Sequence, residues 1–295
     1  MRVTGIGGGH GLAATLRAAR TYADKVQAVV TVADDGGSSG RLSRTLGIPP
    51  PGDIRNCLVA LSDDTNLAEV YQHRFSSGPL TGHSVGNLII AALTELTGDF
   101  AEAVAEAGRL LAAHGSVHPA TNELLTMRAR VEGKVVKGQV AVAQTQGRIQ
   151  AVYLEPREPT ANPAAVDAIL NADQVVLGPG SLFTSLIATL LVPGVRSALQ
   201  DTSAGRVFVC NNRMQKGETQ GLDATAHVEA LLAHSGPNSV DCVVVQSPSL
   251  RGDGMPVDRE AIEALGLNVV GADLTDEAGG HDPERLGKVL SDLVE

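Results

Sequence analysis

A chain of 295 residues with 43% hydrophobic content holds enough apolar material for one large α/β core or two small ones. A net charge of −10 and an aromatic content of 2%, with no tryptophan, exclude the basic stripe and the stacking platforms that nucleic-acid binding requires. The cysteines, Cys57, Cys210 and Cys242, are widely spaced in apolar surroundings and fit free thiols of a reducing compartment.

The run Met1–Ile6 reads as a strand, GGGHG at 7–11 as a loop, and Leu12–Tyr22 as a helix. Valine-rich Val26–Ala33 is the next strand and ends in DDGGSSG at 34–40. That order is the opening unit of a doubly wound nucleotide-binding sheet, in which ligands lie beyond the carboxyl ends of the strands. Gly7, Gly8, Gly9 and Gly11 allow close backbone approach. The following helix aims free N–H groups at the same spot, a seat for phosphate with His10 beside it. The spacing matches neither GxGxxG nor the P-loop. Asp34 and Asp35 stand where a dinucleotide fold keeps its ribose-binding acid; as paired carboxylates they also offer oxygens to Mg²⁺. Gly36, Gly37, Ser38 and Ser39 add donors without bulk, and the alternative is a solvated acidic turn.

PPPGDIRN at 49–56 leads into a helix, Ile54–Leu61, with Asp53 as its N-cap. Asp53, Arg55 and Asn56 set an acid, a cation and an amide within one turn, and Arg55 faces either phosphate or the acids. Leu67–His73 looks helical, and GPLTGHSVGN at 78–87 opens a helix over Val85–Leu96 with His83 and Asn87 one turn apart. Asp99 caps a further helix, Phe100–Ala113. The stretch from about 62 to 115 therefore reads as a helical insert covering the ligand crevice.

Period-two patterning over Leu124–Leu154 gives three short strands, with hairpin-like breaks at 132–134 and 146–148. The α/β order then returns with helix Pro163–Asn171, strand Gln174–Leu177, loop GPGSLFTS at 178–185 and helix Leu186–Leu191. Gly178, Gly180, Ser181 and Thr184 make this a second strand–glycine–helix junction and a second anion seat. Strand Arg206–Cys210 delivers Asn211 to the same crevice. Helix Asp223–His234, strands Cys242–Gln246 and Val269–Ala272, and helix Pro283–Val294 complete the chain. No linker or repeat divides it. The expectation is a single Rossmann-like domain over 1–295: a doubly wound, mostly parallel sheet with a helical insert and a small antiparallel hairpin region. No HExxH, CxxC or GxSxG spacing marks a transition metal or a covalent nucleophile. The apolar runs Leu88–Leu93 and Leu186–Val192 are too short to span a membrane, and no signal peptide precedes the first strand, so the expected location is cytoplasmic.

The strings GGGHGL, VTVADDGGSSGRL, PPGDIRNCLVAL, GHSVGN, GDFAEAV, ADQVVLGPGSLFTSLI and VCNN…GET together resemble the YvcK family of bacterial proteins. Its members are often labelled gluconeogenesis factors and share a superfamily with the CofD phospholactate transferases. The resemblance implies binding of UDP-sugars such as UDP-N-acetylglucosamine, no established catalysis, and a role in cell shape and envelope growth on gluconeogenic carbon sources. It also implies action through envelope-protein partners or a regulatory kinase. The chain departs from the family at His10, where threonine is usual, and at Gly280, where an arginine often precedes His281-Asp282-Pro283. It also has Arg213-Met214-Gln215-Lys216 in place of MTQP, and no tyrosine around Ser249–Val257. A second function class is a Mg²⁺-dependent transferase moving a phospholactyl group to a deazaflavin acceptor, with Asp34 and Asp35 on the metal. A nicotinamide-dinucleotide binder is a third, lacking any hydride-transfer partner. A homodimer is the expected assembly.

Overall fold

Strands buried along nearly their whole length belong inside a sheet covered on both faces. Such strands dominate the computed structural model, which describes residues 1–215 and 217–294. In chain order the strands are β1 Arg2–Gly7, β2 Lys25–Val30, β3 Ser116–Pro119, β4 Thr126–Val131, β5 Lys134–Lys137, β6 Ile149–Glu155, β7 Gln174–Leu177, β8 Gly205–Val209, β9 Cys242–Gln246 and β10 Asn268–Ala272. Seven of them pair in the order β10-β9-β8-β7-β1-β2-β3, and every pairing is parallel. From β1 the chain steps outward through β2 to β3, then returns to β7 and steps outward the other way. The reversal places a crevice above the carboxyl ends of β1 and β7, the switch point of a doubly wound sheet.

The first helices are α1 Gly9–Ala19, α2 Gly37–Leu46, α3 Gly52–Ala60, α4 Thr65–Gln72, α5 Val85–Thr97 and α6 Phe100–Leu110. On one face of the sheet, Leu12, Leu16, Ile54, Leu58, Val104, Leu286 and Leu290 bury against Val3, Val26, Ala28 and Val30. Helices α1, α3, α6 and the closing Pro283–Asp292 supply those side chains. On the other face, Ile6, Val29, Val175 and Leu177 meet Ile169, Leu186, Leu199 and Leu231 together with Met127, Val152 and Leu154. The last three belong to a three-stranded antiparallel sheet ordered β5-β4-β6.

The five helices α2–α6 separate β2 from β3. Strand β3 is absent from the sequence reading because Ser-Val-His-Pro is a four-residue edge strand with one fully buried valine, too short to show a period. Expected strand Val26–Ala33 is regular only to Val30, since its partners β1 and β3 end at Gly7 and Pro119. Of the two expected hairpins, Glu132–Lys134 is one. The second break is not: the helices α7 Gln139–Ala143 and α8 Pro163–Leu170 flank β6, and the chain uses α7 to cross β4 and pair β6 on its other edge. Helix Leu186–Leu191 starts earlier than expected, as a π-helix over Leu182–Ile187 in which Leu186 N–H reaches back five residues to Ser181 O at 3.0 Å. Among the described residues no single helix is long and apolar enough to cross a membrane. Lys216 of the departing 213–216 segment lies outside the described residues.

Candidate functional site

The two glycine loops are in backbone contact at the switch point. Gly178 N–H extends the β1–β7 ladder to Ile6 O at 3.0 Å. A methyl group built on Gly11 would collide with the Pro179 carbonyl, 2.6 Å from its carbon, and one on Gly180 would lie 3.4 Å from Gly8 O. Asn211, at the end of β8, spends both ends of its amide on Gly180, accepting from its N–H and donating to its O at 2.9 Å each. It therefore braces the second loop and keeps one amide N–H uncommitted. A methyl on Gly8 would meet Asp53 Oδ2 at 2.5 Å, Thr31 Cγ2 at 2.9 Å and Ser185 Cβ at 3.3 Å. Gly52 lies against Ser39 Oγ and Asp34 Oδ2. Residues 7–11, 34–40, 53 and 178–185 thus share one crevice, with His10 exposed at its rim.

The paired acids part company. Asp34 accepts the Gly36 N–H at 2.9 Å and the Ser39 hydroxyl, and burial pushes its carboxyl up. Asp35 turns away and accepts Val140 N–H at 2.9 Å, capping α7. The two carboxylates thus serve different partners, and among the described residues no group of three or more His, Cys, Asp or Glu gathers as metal ligands. His114 and His118, four residues apart, also diverge: His114 pairs with Asp63 at 2.9 Å and His118 lies 3.3 Å from Gln27.

The acid that faces Asp34 is Asp53. It is not the cap of α3, because Pro51 holds that position and Asp53 lies in the first turn, free to lean on the glycine loop. Burial, reinforced by the Asp34 charge, pushes its carboxyl up to about 7, while the Gly9 N–H and Arg55 pull the other way. An acid of the chain itself therefore already lies at the positive end of α1.

The second anion seat is likewise filled from within. Glu218, 5% exposed, accepts Thr184 N–H at 3.1 Å. Its carboxylate caps the first turn of the π-helix at Leu182–Ile187, and the buried Thr184 hydroxyl has no hydrogen-bond partner among the described residues. The sequence reading quoted Gly217-Glu218-Thr219 without a role for the acid; a lone glutamate between small residues after a strand is the signal it held. Glu218→Ala leaves the Thr184 N–H unpaired and is expected to cost about 2–4 kcal/mol in urea unfolding, with Glu218→Gln costing less.

Among the described residues Arg55, 5% exposed, has no carboxylate within salt-bridge distance, although the charges of Asp53 and Asp34 act on it. It donates to Ser84 Oγ, to Asn87 Oδ1 at 3.1 Å and to Asn56 Oδ1 at 2.7 Å, tying α3 to α5. Asn87 in turn donates to Ser38 Oγ at 3.1 Å, and His83 Nδ1 lies 3.0 Å from the same hydroxyl. These residues shape the wall of the crevice and hold α5 against α2. Thr31, 3% exposed, sets its methyl group against Gly8 and leaves its hydroxyl without a partner among the described residues; no motif marks it, nor the packing of His281 on Cys210 O at 3.1 Å. Burial pushes His281 down to about 4, so it is neutral at neutral pH.

The model of the family described as 2-phospho-L-lactate transferase CofD matches residues 3–275. The chain belongs to the CofD family. Within the family, a Bacillus subtilis protein named gluconeogenesis factor is 41% identical, over 98% of this chain and 96% of its own. A Mycobacterium tuberculosis protein named putative gluconeogenesis factor is 42% identical over 98% of this chain and 89% of its own. A crystal structure of a Bacillus halodurans protein superposes with a TM-score of 0.94 at 38% identity, covering 98% of both chains. The Rossmann-like core and the kinship to gluconeogenesis factors that the motifs implied are both in place.

Proposed function

We propose that this CofD-family protein binds a nucleotide sugar of the UDP-N-acetylglucosamine class in the switch-point crevice and acts as a regulator of cell shape and envelope synthesis. The observation that carries the reading is the backbone contact between Gly8–Gly11 and Pro179–Gly180 directly above β1 and β7. It makes a narrow, amide-lined cleft in which elongated phosphorylated ligands are held in folds of this topology. The names of the relatives support the gluconeogenic setting. Calorimetry with UDP-N-acetylglucosamine tests it. Saturable binding tighter than about 1 mM, worth at least about 4 kcal/mol, is expected, and Asp34→Asn should weaken it. No heat from the wild type at that concentration refutes it.

A second reading, transfer of a phospholactyl-type group to a deazaflavin, draws support from the description of the family model. Incubation with guanylylated phospholactate, deazaflavin acceptor and Mg²⁺ decides it: chromatographic appearance of the phospholactylated product means turnover, and its absence leaves the binding reading alone.

A further inference from the structure

The chain carries a net charge of −10, yet two arginines and a histidine stand together beside the crevice with no acid among them. Arg41 projects from the second turn of α2, and Arg74 and His83 lie on the segment joining α4 to α5. That segment closes on itself through Phe75 N–H to His83 O at 3.0 Å, Gly82 N–H to Phe75 O at 2.8 Å and Val85 N–H to His73 O at 3.0 Å. Its consecutive carbonyls collect the two arginines: Arg41 Nη2 donates to Thr81 O at 2.8 Å and Arg74 Nη1 to Gly82 O at 2.6 Å. His83 follows directly and contacts Ser38, in the first turn of α2, at 3.0 Å.

Among the described residues neither Arg41 nor Arg74 has a carboxylate within salt-bridge distance, whereas Arg2, Arg20, Arg109, Arg128, Arg206 and Arg285 each do. The cations instead act on one another. After burial, Arg41 and Arg74 are what push the His83 imidazole down, and Arg74 likewise lowers Arg55. Each of the two arginines commits one N–H to a carbonyl and keeps the remainder of its fork free, held in position at reduced entropic cost. Both are exposed to solvent. The neighbouring helix ends differ: α1 has Asp53 beneath it and the π-helix has Glu218, but α2 carries no side-chain cap.

We propose that Arg41, Arg74 and His83, with the first turn of α2, form a subsite for a phosphate-class anion at the lip of the crevice. Donors that approach from two separate segments suit a tetrahedral group, whereas a planar carboxylate is satisfied by one arginine fork. The absence of neighbouring aromatic platforms and the acidity of the chain oppose a nucleic-acid backbone as the source. The subsite stands whether or not the crevice takes a nucleotide sugar.

Inorganic pyrophosphate is the probe. Calorimetry should show saturable binding to the wild type, weakened about tenfold or more in the double variant Arg41→Gln/Arg74→Gln and unchanged in Lys288→Gln, an exposed cation on the closing helix. Thermal melting of the double variant controls for folding, and it should melt with the wild type because both arginines are exposed and unpaired with acids. Pyrophosphate binding that is undetectable in the wild type up to about 10 mM, or equal in the folded double variant, overturns the subsite. In a second arm, pyrophosphate is titrated into protein saturated with UDP-N-acetylglucosamine. Competition assigns the anion to the diphosphate of the crevice ligand, and independent binding assigns it to a separate anion. A wild type that binds the nucleotide sugar but not pyrophosphate sinks the subsite alone; the reverse sinks only the nucleotide-sugar reading.

Discussion

Asp53→Asn is expected to stabilise the protein at alkaline pH and to leave it nearly unchanged at acid pH. The Asp53 carboxyl has an ordinary value of 3.8 and is raised to about 7 in the folded state, chiefly by burial. Below the lower value both states hold the proton and burial carries no ionisation penalty. Between the two values the folded state binds more protons than the unfolded one, so stability falls as pH rises. Above about 7 the penalty is complete. A shift of about three units has a ceiling near 4 kcal/mol, and the partial exposure of Asp53 together with the lost Gly9 contact reduces the expected gain to about 2 kcal/mol. Urea unfolding of both proteins at about pH 4 and about pH 8 reads the difference directly. A gain of equal size at both pH values would mean that ionisation of Asp53 is not its source.

Gly11→Ala should be strongly damaging, because it drives the two loops above β1 and β7 apart. Its Cβ would lie 2.6 Å from Pro179 C and 2.8 Å from Gly180 Cα, and both are backbone atoms. They cannot retreat easily, because Asn211 fixes Gly180 through two hydrogen bonds. Helix α1 must then move off the second loop, at an expected cost of about 2–3 kcal/mol, a fall in Tm of roughly 3–5 °C for a chain of this size. Nucleotide-sugar binding should disappear with it. Gly37→Ala is the matched control: it has nothing within 4 Å of the added carbon, and only its φ of +47° opposes the change, at about 1 kcal/mol. Equal melting temperatures for the two variants would show that the loops are not pressed together.

The parts of the molecule that the sequence made legible are those that repeat a physical pattern. Valine-rich runs between polar breaks are β2, β7 and β9, and Asp99 caps its helix by accepting Glu102 N–H at 2.8 Å, as its position before Phe100 implied. Glycine strings located the loops above β1 and β7 because close backbone approach leaves no room for a side chain. What stayed hidden depends on long-range partners. Asp35 looks like half of an acid pair until Val140, more than one hundred residues on, is seen to take its carboxylate. Asp53 looks like a cap until Pro51 occupies that position and the glycine loop descends on it. Glu218 is marked only as the acid of the GET string, with nothing in the sequence to pair it with a partner, yet it occupies the helix end that the loop GPGSLFTS seemed to hold open. Electrostatic assignments at helix ends therefore need the fold, whereas the place of the crevice did not.

Hydrogen exchange, read peptide by peptide with and without UDP-N-acetylglucosamine, tests the location of the site most directly. The account predicts slowed exchange over residues 7–11, 34–41 and 178–185, with little change elsewhere. The molecule also has a cavity of about 950 Å³ lined by Arg148, Phe183, Glu218, Glu229 and His234, which borders the second loop at Phe183. Protection confined to residues 146–150 and 220–234, with residues 7–11 and 34–41 exchanging as in the free protein, would contradict the crevice as the binding site.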